Sequence, residues 1–335
     1  METHEPLMII LAKVLLKLIV FTFFFATVIN SETQSVGYKN PDPGYKIQFP
    51  LDHGKHDNFR YEWWYLTANL NADNFGNLGI QWTLFKNELI PLKQNETDNQ
   101  FIFWMGHSAI TTNSLHYFEE RFARAGMELA GVNLSPFKAW IDNWSLEANN
   151  NLSELLLKGN GKKFSYNLKF QTELKPILQG SSGFSLKSSS GNSSHYYSQP
   201  YYQVSGWIEI DGIKEKVTGY GWLDREWSSD LLNENQTGWD WFSLHLENGN
   251  KIMLFQVRQK DGKNFISGSL MNNFGIKQEL SSEQVKFKVE KKKTILGNDI
   301  PIRWNIRVPE YNFNLTITPI NESAFMNTLI PYWEG

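Results

Sequence analysis

The stretch Arg60-Tyr61-Glu62-Trp63-Trp64-Tyr65 places two adjacent tryptophans between a carboxylate and a tyrosine. Neighbouring side chains of a β-strand point to opposite faces of its sheet, so Trp63 and Trp64 cannot both fill one core. The same alternation places Glu62 on the face of Trp64. The stretch therefore predicts a strand between two layers, or between a layer and a cavity, with a carboxylate beside an indole ring.

Two related boxes follow later in the chain, Gly221-Trp222-Leu223-Asp224-Arg225-Glu226-Trp227 and Gly238-Trp239-Asp240-Trp241-Phe242. In the first of these boxes, alternation places Asp224 and Glu226 on one face of a strand and Arg225 on the other. A carboxylate held among aromatic rings tends to have a raised pKa. Such a group suits acid chemistry, or the binding of the polar end of a ligand.

Composition limits the class of protein. The chain has 335 residues, of which 41% are hydrophobic and 15% aromatic, and its net charge is -3. This length gives room for one large domain or two of ordinary size. Because the net charge is small and no basic run is interleaved with aromatic residues, we expect no nucleic-acid partner. The chain has no cysteine, which excludes disulfides, thiolate nucleophiles and zinc-thiolate sites.

The N-terminus predicts a targeting segment. The stretch 9–29 is mostly apolar, but its uninterrupted part is short for a membrane span and typical of a signal peptide. We expect residues 1–31 to be the signal peptide, with cleavage near Ser31. The alternative is an uncleaved N-terminal anchor that would hold the protein at a membrane. Export without cysteines favours a secreted or periplasmic bacterial protein.

The remainder predicts an antiparallel all-β fold, because short aromatic or β-branched segments alternate with turn residues. The predicted strands are 61–70, 79–86, 101–112, 137–147, 164–172, 201–210, 215–223, and a hairpin of 239–247 with 251–259. The best helical signal is 116–126, where charged residues could pair along one face. The Ser/Gly-rich stretch 179–194 predicts a long loop, either disordered or a flap over a pocket.

Several boxes occur in a fixed order along residues 47–335. They are Phe49-Pro50-Leu51-Asp52-His53-Gly54, Glu62-Trp63-Trp64-Tyr65, Gly106-His107-Ser108-Ala109, Glu120-Arg121-Phe122-Ala123-Arg124, Trp140-Ile141-Asp142-Asn143-Trp144, Tyr196-Tyr197-Ser198, Trp222-Leu223-Asp224-Arg225-Glu226-Trp227-Ser228-Ser229 and Gly238-Trp239-Asp240-Trp241-Phe242. Together they resemble the AttH/CrtC family, which comprises secreted bacterial proteins described as hydrolases and the carotenoid 1,2-hydratases.

The resemblance implies two lipocalin-like antiparallel β-barrels packed together, with a ligand cavity in or between them. We expect an N-terminal domain at 45–230 and a C-terminal domain at 238–335. In the family, the string Tyr332-Trp333-Glu334-Gly335 opens a hairpin that closes the second barrel. The second barrel is therefore expected to lack its closing C-terminal strands, and its open edge would favour self-association.

Two functions stay open at this point. The first is the binding of an apolar or amphipathic small molecule, of lipid or terpenoid type, in an aromatic-lined cavity. The alternative is an enzyme that uses Glu62, Asp224 and Glu226 for acid-catalysed hydration, isomerisation or hydrolysis of such a ligand. The hydratases resemble Tyr-His-Asp-His-Asn-Trp-Gly where this chain has 222–228, and the absence of both histidines argues against their reaction.

The sequence predicts the following candidate site. The catalytic candidates are Glu62, Asp224 and Glu226, and the ligand-binding candidates are Trp63, Trp64, Tyr65, Trp82, His107, Arg225, Trp227, Trp239, Asp240, Trp241 and Arg258. A cavity of a few hundred Å3 would suit a small ligand. We expect that cavity to be lined by Trp64, Trp82, Trp227, Trp239 and Trp241.

Other features favour structural roles. A buried Glu62 would need a cationic partner, which Arg258 or Arg121 could supply. His107 is interpreted as a hydrogen-bonded histidine at the start of a strand. His53 and His56 fall in a polar stretch without a metal-binding helix, so no metal is expected. No Gly-x-Ser-x-Gly nucleophile motif and no phosphate-binding Gly loop occurs, and no cofactor is expected.

Overall fold

The computed structural model describes residues 37–90, 101–230 and 234–335. The predicted signal peptide at 1–31 lies outside the described residues. Residues 37–335 form one compact unit. In the described part, helix is restricted to the 3-10 turns Leu51–His53 and Pro309–Tyr311. None of the described helices is long and apolar enough to cross a membrane.

Thirteen strands form one antiparallel sheet in the first part of the chain. They are β1 Tyr61–Ala72, β2 Gly76–Glu88, β3 Ile102–Thr111, β4 His116–Arg124, β5 Ala130–Leu134, β6 Phe137–Ile141, β7 Trp144–Ala148, β8 Glu154–Asn160, β9 Phe164–Gln171, β10 Ile177–Leu178, β11 Phe184–Leu186, β12 Ser193–Ile210 and β13 Ile213–Ser228. Their order is β4-β3-β2-β1-β13-β12-β9-β8-β7-β6-β5, and β10 and β11 each pair with β12. This sheet curls into a nearly closed barrel, called the first barrel below.

The core of the first barrel follows from strand alternation. In β1, the inward positions are Trp64, Leu66, Ala68 and Leu70, and all four are buried. Apolar side chains of the other strands of the first sheet complete the same core. At roughly 25 cal/mol per Å2 of apolar area removed from water, this continuous core is the main stabilising term of the barrel.

Nine further strands form the second part of the molecule. They are β14 Gln236–His245, β15 Lys251–Gln259, β16 Phe265–Met271, β17 Lys277–Leu280, β18 Lys286–Ile295, β19 Asn298–Val308, β20 Phe313–Ile317, β21 Phe325–Met326 and β22 Tyr332–Trp333. They make a four-stranded sheet β14-β15-β16-β17, a three-stranded sheet β18-β19-β20 and the pair β21-β22. A second core, which includes Phe242, Leu254 and Trp304, joins the four-stranded and three-stranded sheets.

Strand β15 is buried on both faces, and its side chains contact both parts of the molecule. Its side chains Ile252 and Leu254 lie in the second core. The alternate side chains Met253 and Phe255 belong to a third cluster, which includes Trp222 of the first barrel. A strand with apolar residues at successive positions therefore packs against a layer on each face, as expected for a strand that is covered on both sides.

The all-β fold of two packed lipocalin-like units is confirmed. The predicted turns at Asp211-Gly212 and Asn248-Gly249-Asn250 each connect two antiparallel strands. Asp211 and Gly212 both have positive φ, as a two-residue hairpin turn requires. The described strands pass from the first sheet to the second between β13 and β14. The domain bounds 45–230 and 238–335, and the absence of closing strands, stay predictions.

Three local expectations are wrong. The stretch 116–126 is not helical, because His116–Arg124 pairs with β3 as an edge strand, and this pairing outweighs the helical charge pattern. The stretch 137–147 is two strands, since Asp142 has φ 51 in a tight turn between β6 and β7. The Ser/Gly-rich stretch 179–194 contains β11 and the start of β12, so it is an ordered covering of the barrel.

Replacing Leu254 by Ala should destabilise the protein by about 2–5 kcal/mol, because this fully buried side chain would leave a cavity in the second core. Urea denaturation followed by tryptophan fluorescence measures the change. Leu129→Ala, at a position that is 45% exposed, is the control and should shift stability much less. Equal effects of the two substitutions would contradict the described core.

Candidate functional site

A buried group of charged side chains lies at one end of the first barrel, and we call it the inner ion cluster: Asp52, His56, Glu62, Lys86 and Arg225. Glu62 is fully buried and lies on the inward face of β1. Its Oε1 is 2.9 Å from Lys86 Nζ, and its Oε2 is 2.5 Å from an Arg225 guanidinium nitrogen. Two cations from neighbouring strands thus hold one carboxylate.

The tryptophans of two boxes enclose the Arg225 cation. The guanidinium carbon lies 3.8 Å from the ring centroid of Trp64 and 5.1 Å from that of Trp227. The ring of His56 stacks on Trp227 at 4.0 Å, with an angle of 10° between the planes. Arg225 also donates a hydrogen bond to the carbonyl of Gly54. Stacking of this kind, away from water, adds to the attraction between the charges.

The stretch that the sequence suggested to be a polar loop closes this end of the barrel. His56 donates its backbone N–H to Glu62 at 2.7 Å, and its ring Nε2 lies 3.0 Å from Asp52. Asp52 and His53 are both buried, and His53 Nδ1 is 2.7 Å from the hydroxyl of Tyr197. His56 therefore takes part in the hydrogen-bond network of the inner ion cluster, while the ring of His53 bonds to Tyr197 beside it.

Glu62 does not have the raised pKa that its aromatic neighbours suggested. Burial by itself raises the pKa of this carboxyl, but the charges of Lys86 and Arg225 outweigh burial and hold the pKa well below its ordinary value. Glu62 is therefore a permanent anion that neutralises two buried cations. It is poorly suited to donating a proton to a ligand.

The expected partners of Glu62 were also wrong. Arg258 forms an ion pair with Asp240 in the second part of the molecule. Arg121 lies 4.1 Å above the ring of Trp144. The actual partner Lys86 occupies an inward position of β2, where only a buried opposite charge makes a lysine tolerable.

The outward face of the same strands carries a different group, called the junction cluster: Tyr65, Tyr196, Ser198, Asp224 and Trp241. Asp224 Oδ1 accepts hydrogen bonds from the hydroxyls of Tyr196 at 2.7 Å and Ser198 at 2.5 Å. The indole N–H of Trp241 donates to the Tyr196 hydroxyl at 3.3 Å. The rings of Tyr65 and Trp241 meet edge to face at 5.4 Å. Both parts of the molecule contribute side chains to this cluster.

Of the three predicted acids, Asp224 is the one whose pKa fits acid chemistry. Burial raises its pKa to about 7, against hydrogen bonds from Ser198, Trp222 and Tyr196 that favour the anion, while the charge of Glu226 raises it further. Within the described residues, its second oxygen, Oδ2, makes no hydrogen bond of normal geometry, although the indole of Trp222, whose N–H also lacks one, lies near enough to favour the anion. A buried polar atom without a partner is costly and requires an explanation, such as a role in binding or catalysis.

Glu226 lies on the same outward face but is neutralised. Its carboxylate is 2.7 Å from the ammonium group of Lys187. That ammonium group also lies 4.7 Å from the ring centroid of Tyr196 and 4.4 Å from that of Phe255. Lys187 comes from the stretch 179–194, so this ordered segment covers one side of the junction cluster. The three predicted acids therefore occupy three different environments.

The prediction that five tryptophans line one cavity is wrong. Trp64, Trp82 and Trp227 belong to the core of the first barrel. Trp241 lies in the junction cluster, and Trp239 is 54% exposed. In the first two boxes, strand alternation places the indoles on opposite faces of the sheet. In the third box Trp239 and Trp241 share a face, and only Trp241 is covered by the first barrel. Trp63, opposite in direction to Trp64, is half-buried.

The remaining ligand candidates lie outside the junction cluster. His107 is buried in the middle of β3, with Nδ1 2.9 Å from the Tyr332 hydroxyl and Nε2 3.0 Å from Glu120. The interpretation of His107 as a hydrogen-bonded histidine is thus confirmed, although not at a strand start. Asp240 accepts hydrogen bonds from Arg258 and Gln256 within the second part of the molecule.

Sequence reasoning missed Glu334 as a site residue. The hydroxyl of Tyr65 donates to Glu334 Oε1 at 2.6 Å, and burial raises the pKa of Glu334 to about 7. In the sequence, the string that contains Glu334 indicates only the start of a strand. The other residues that sequence reasoning missed are Lys86, Lys187, Tyr196, Ser198 and Tyr332. Of these, Lys86 had a usable signal, a lysine at an inward position of a predicted strand.

Two surface depressions of about 270 and 280 Å3 lie elsewhere on the first barrel. Both include Asn160, Gly161 and Lys162, in the turn between β8 and β9. Neither is lined by a residue that the sequence predicted to bind a ligand. These depressions are therefore separate from the junction cluster, and nothing in their lining suggests a reacting group.

Fold and site together define a protein of two packed β-barrel units with a buried carboxyl at their junction. The chain belongs to the AttH-like family, whose model matches residues 40–335. A candidate AttH protein from Nitrosomonas europaea is 28% identical, covers 89% of this chain and 93% of its own, and superposes with a TM-score of 0.78.

A second solved structure shares the fold at low identity. Kievitone hydratase from Nectria haematococca is 11% identical, with a TM-score of 0.62 and 88% of each chain covered. At this identity the likeness establishes the fold alone. No functionally curated protein is similar enough in sequence to count as a match.

The inner ion cluster predicts the effect of Glu62→Gln. Because the folded state lowers the pKa of Glu62, its stabilisation is present above the ordinary value of 4.5 and is lost as the pH falls below it. The substitution leaves the buried Arg225 without its anion and Lys86 with Glu88 alone, so it should cost about 3–5 kcal/mol at neutral pH. Urea denaturation at several pH values should show this difference shrinking in acid. Glu154→Gln, an exposed carboxylate paired with Lys169, is the control and should change little.

The junction cluster predicts the opposite pH dependence for Asp224→Asn. Folding raises the pKa of Asp224 from 3.8 to about 7, so between these values the unfolded chain loses this proton while the folded chain keeps it, and the protein loses stability as the pH rises. The variant lacks this ionisation, and its stability relative to wild type should increase from about pH 4 to about pH 8, by up to a few kcal/mol. A relative stability that is flat across this range, measured by urea denaturation, would contradict the raised pKa.

Proposed function

We propose that this protein binds an apolar or amphipathic small molecule at the junction cluster and adds water to its carbon-carbon double bond by acid catalysis. The observation that carries this proposal is the environment of Asp224. One carboxyl oxygen is held by two hydroxyls and the other makes no hydrogen bond of normal geometry, among aromatic rings from both parts of the molecule. A buried polar atom of this kind supports a role in contacting a ligand.

The hydrogen bonds of Asp224 support its role as the acid. Tyr196 and Ser198 occupy Oδ1, so in the neutral acid the proton is on Oδ2. With a pKa of about 7, the acid and its anion are comparably populated at neutral pH, which suits a general acid. After the proton leaves, the same two hydroxyls stabilise the carboxylate.

The reaction would run in two steps. The π electrons of the double bond form a new C–H bond with the proton of Asp224, which leaves a carbocation on the ligand and a carboxylate on the protein. The aromatic faces of Tyr65 and Trp241 would stabilise that cation. A water oxygen then forms the C–O bond and releases one proton, so the net change is the addition of one water.

The comparisons support this choice of reaction in part. Kievitone hydratase is named for a hydration and has the same fold, which makes hydration the reaction class to test first. The histidines of the carotenoid hydratase box are absent here, so a carotenoid is not our preferred substrate. We favour a smaller ligand with an alkene and a polar end, since the junction cluster offers hydroxyls beside its aromatic rings.

The other predicted acids take supporting roles in this proposal. Glu62 holds Arg225 and Lys86 inside the barrel and thereby fixes the strands that carry Asp224. Glu226 and Lys187 cover one side of the junction cluster as an ion pair. Access for a ligand would require the covering segment around Lys187 to move. Secretion through residues 1–31 belongs to the proposal as well, with a bacterial periplasm as the expected location.

The proposal predicts loss of turnover in Asp224→Asn. Purified protein is incubated in D2O with a panel of alkene-bearing terpenoids, prenylated phenols and unsaturated fatty acids. Wild type should yield a product that has gained one water, with solvent deuterium on carbon, detected by mass spectrometry. Asp224→Asn should bind the same compound but turn it over about 10²–10⁴-fold more slowly. Asp211→Asn, in the hairpin turn before β13, is the matched control and should keep full activity.

Two outcomes would contradict the proposal. If wild type binds a panel compound and returns it unchanged, and Asp224→Asn binds equally well, the protein is a carrier without chemistry. If Asp224→Asn keeps the wild-type rate, Asp224 is not the acid. Location is tested separately, by N-terminal sequencing of the protein recovered from the bacterial periplasm.

A further inference from the structure

Residues 321–335, called the strap below, cross the outward face of the first barrel. The side-chain amide of Asn321 donates to the carbonyl oxygen of Thr112 at 3.1 Å. The backbone N–H of Leu329 donates to the carboxylate of Glu120 on β4 at 2.8 Å. These two contacts anchor the strap to barrel residues that precede it by 209 positions in the chain.

Two side chains at the end of the strap reach the strands beneath it. The hydroxyl of Tyr332 lies 2.9 Å from His107 Nδ1 and accepts a hydrogen bond from the side-chain amide of Gln81 at 3.1 Å. The carboxylate of Glu334 accepts the hydroxyl of Tyr65 at 2.6 Å. The strap therefore ends by placing a carboxylate on a tyrosine of the junction cluster.

Tyr65 lies between Glu334 and the acid of the proposed reaction. In the antiparallel pairing of β1 with β13, Tyr65 is directly opposite Asp224. Directly opposite residues project to the same face, with Cβ atoms about 4.5–5.5 Å apart. The Tyr65 hydroxyl donates its hydrogen bond to Glu334. The lone pairs of the Tyr65 oxygen are therefore left to accept a proton on the side of the junction cluster.

We propose that Glu334 is a positioning residue that acts through Tyr65. The Tyr65 hydroxyl takes the proton that the attacking water releases and passes its own proton to Glu334. This inference rests on the proposed hydration, and it assigns Tyr65 as the group that contacts the water. It also gives the strap a chemical role beyond covering the barrel.

The proton transfers balance. Asp224 gives one proton to the alkene carbon, and the water oxygen forms the C–O bond to the resulting cation. As the water loses a proton to the Tyr65 oxygen, the Tyr65 hydroxyl proton passes to Glu334. The protein then holds its extra proton on Glu334, and exchange with solvent returns a proton to Asp224. No oxidant, reductant or further reactant is needed.

The surroundings of Glu334 suit this role. Among the described residues, no lysine or arginine forms an ion pair with Glu334, so no fixed cation holds it as an anion. The hydroxyls of Tyr65 and Tyr332 are titratable groups that interact with Glu334, and burial raises the pKa of Glu334 to about 7. On the other side of Tyr65, Asp224 is accompanied by Glu226, which Lys187 neutralises.

The test compares Glu334→Gln with wild type on the panel compound that wild type hydrates. Glutamine keeps an oxygen to accept the Tyr65 hydroxyl but cannot take up its proton. We expect kcat to fall by about 10²-fold with KM unchanged, and the rise of kcat with pH near neutrality to disappear. Glu334→Asp should restore part of the rate and the pH-dependent rise, which a purely structural role would not do.

Two further variants sharpen this test. Tyr65→Phe should lose as much activity as Glu334→Gln, and the double variant should be no slower than either single variant, because both remove one relay. Glu322→Gln removes a carboxylate of the same strap that pairs with Lys291, so it is the control and should keep the wild-type rate.

The failures of the two proposals are distinguishable. If Asp224→Asn abolishes turnover while Glu334→Gln keeps the wild-type kcat and pH profile, the relay is overturned and the hydration stands. If Asp224→Asn is fully active, the hydration and the relay fail together. Tyr65→Phe and Glu334→Gln effects that multiply in the double variant would also overturn the relay, since the two groups would then act independently.

Discussion

The ion pair between Glu62 and Arg225 is the interaction on which the rest of the site depends. It connects the inward faces of β1 and β13, which are neighbours in the first sheet, and Trp64 and Trp227 enclose the cation. A slip of one residue between two strands would send every side chain to the other face. Burying either charge without the other would cost several kcal/mol, so the pair specifies the register strongly.

That register gives the carboxyl groups on the two faces of the β1-β13 pair pKa values that are shifted in opposite directions. Inward, Glu62 faces two cations, and its pKa is held below the ordinary range. Outward, Asp224 faces hydroxyls and aromatic rings and forms no ion pair within the described residues, and its pKa rises to about 7. Two carboxyls on paired strands of one sheet thus divide into a permanent anion and a titrating acid, through environment alone.

The sequence predicted what depends on neighbours along a strand, and it failed where distant segments meet. Alternation correctly separated Asp224 from Arg225, because both lie on one strand. The partners Lys187 and Glu334 come from segments far away in the chain, and no local pattern relates them to Tyr196 or Tyr65. For the same reason, the tryptophans of the three boxes were wrongly assigned to one cavity. Each box repeats the same local alternation, but each faces different layers of the fold.

The second part of the molecule raises the pKa of Asp224, which lies in the first barrel. Asp224 belongs to β13 of the first barrel, but Trp241 and the apolar face of β15 help to keep water from its surroundings. Desolvation is the largest cause of its raised pKa, so proton affinity at this site is a product of the packing between the two parts. A barrel standing alone would expose Asp224, whose pKa would return toward 3.8. Two units are therefore needed for one neutral acid, which gives a chemical reason for the paired architecture.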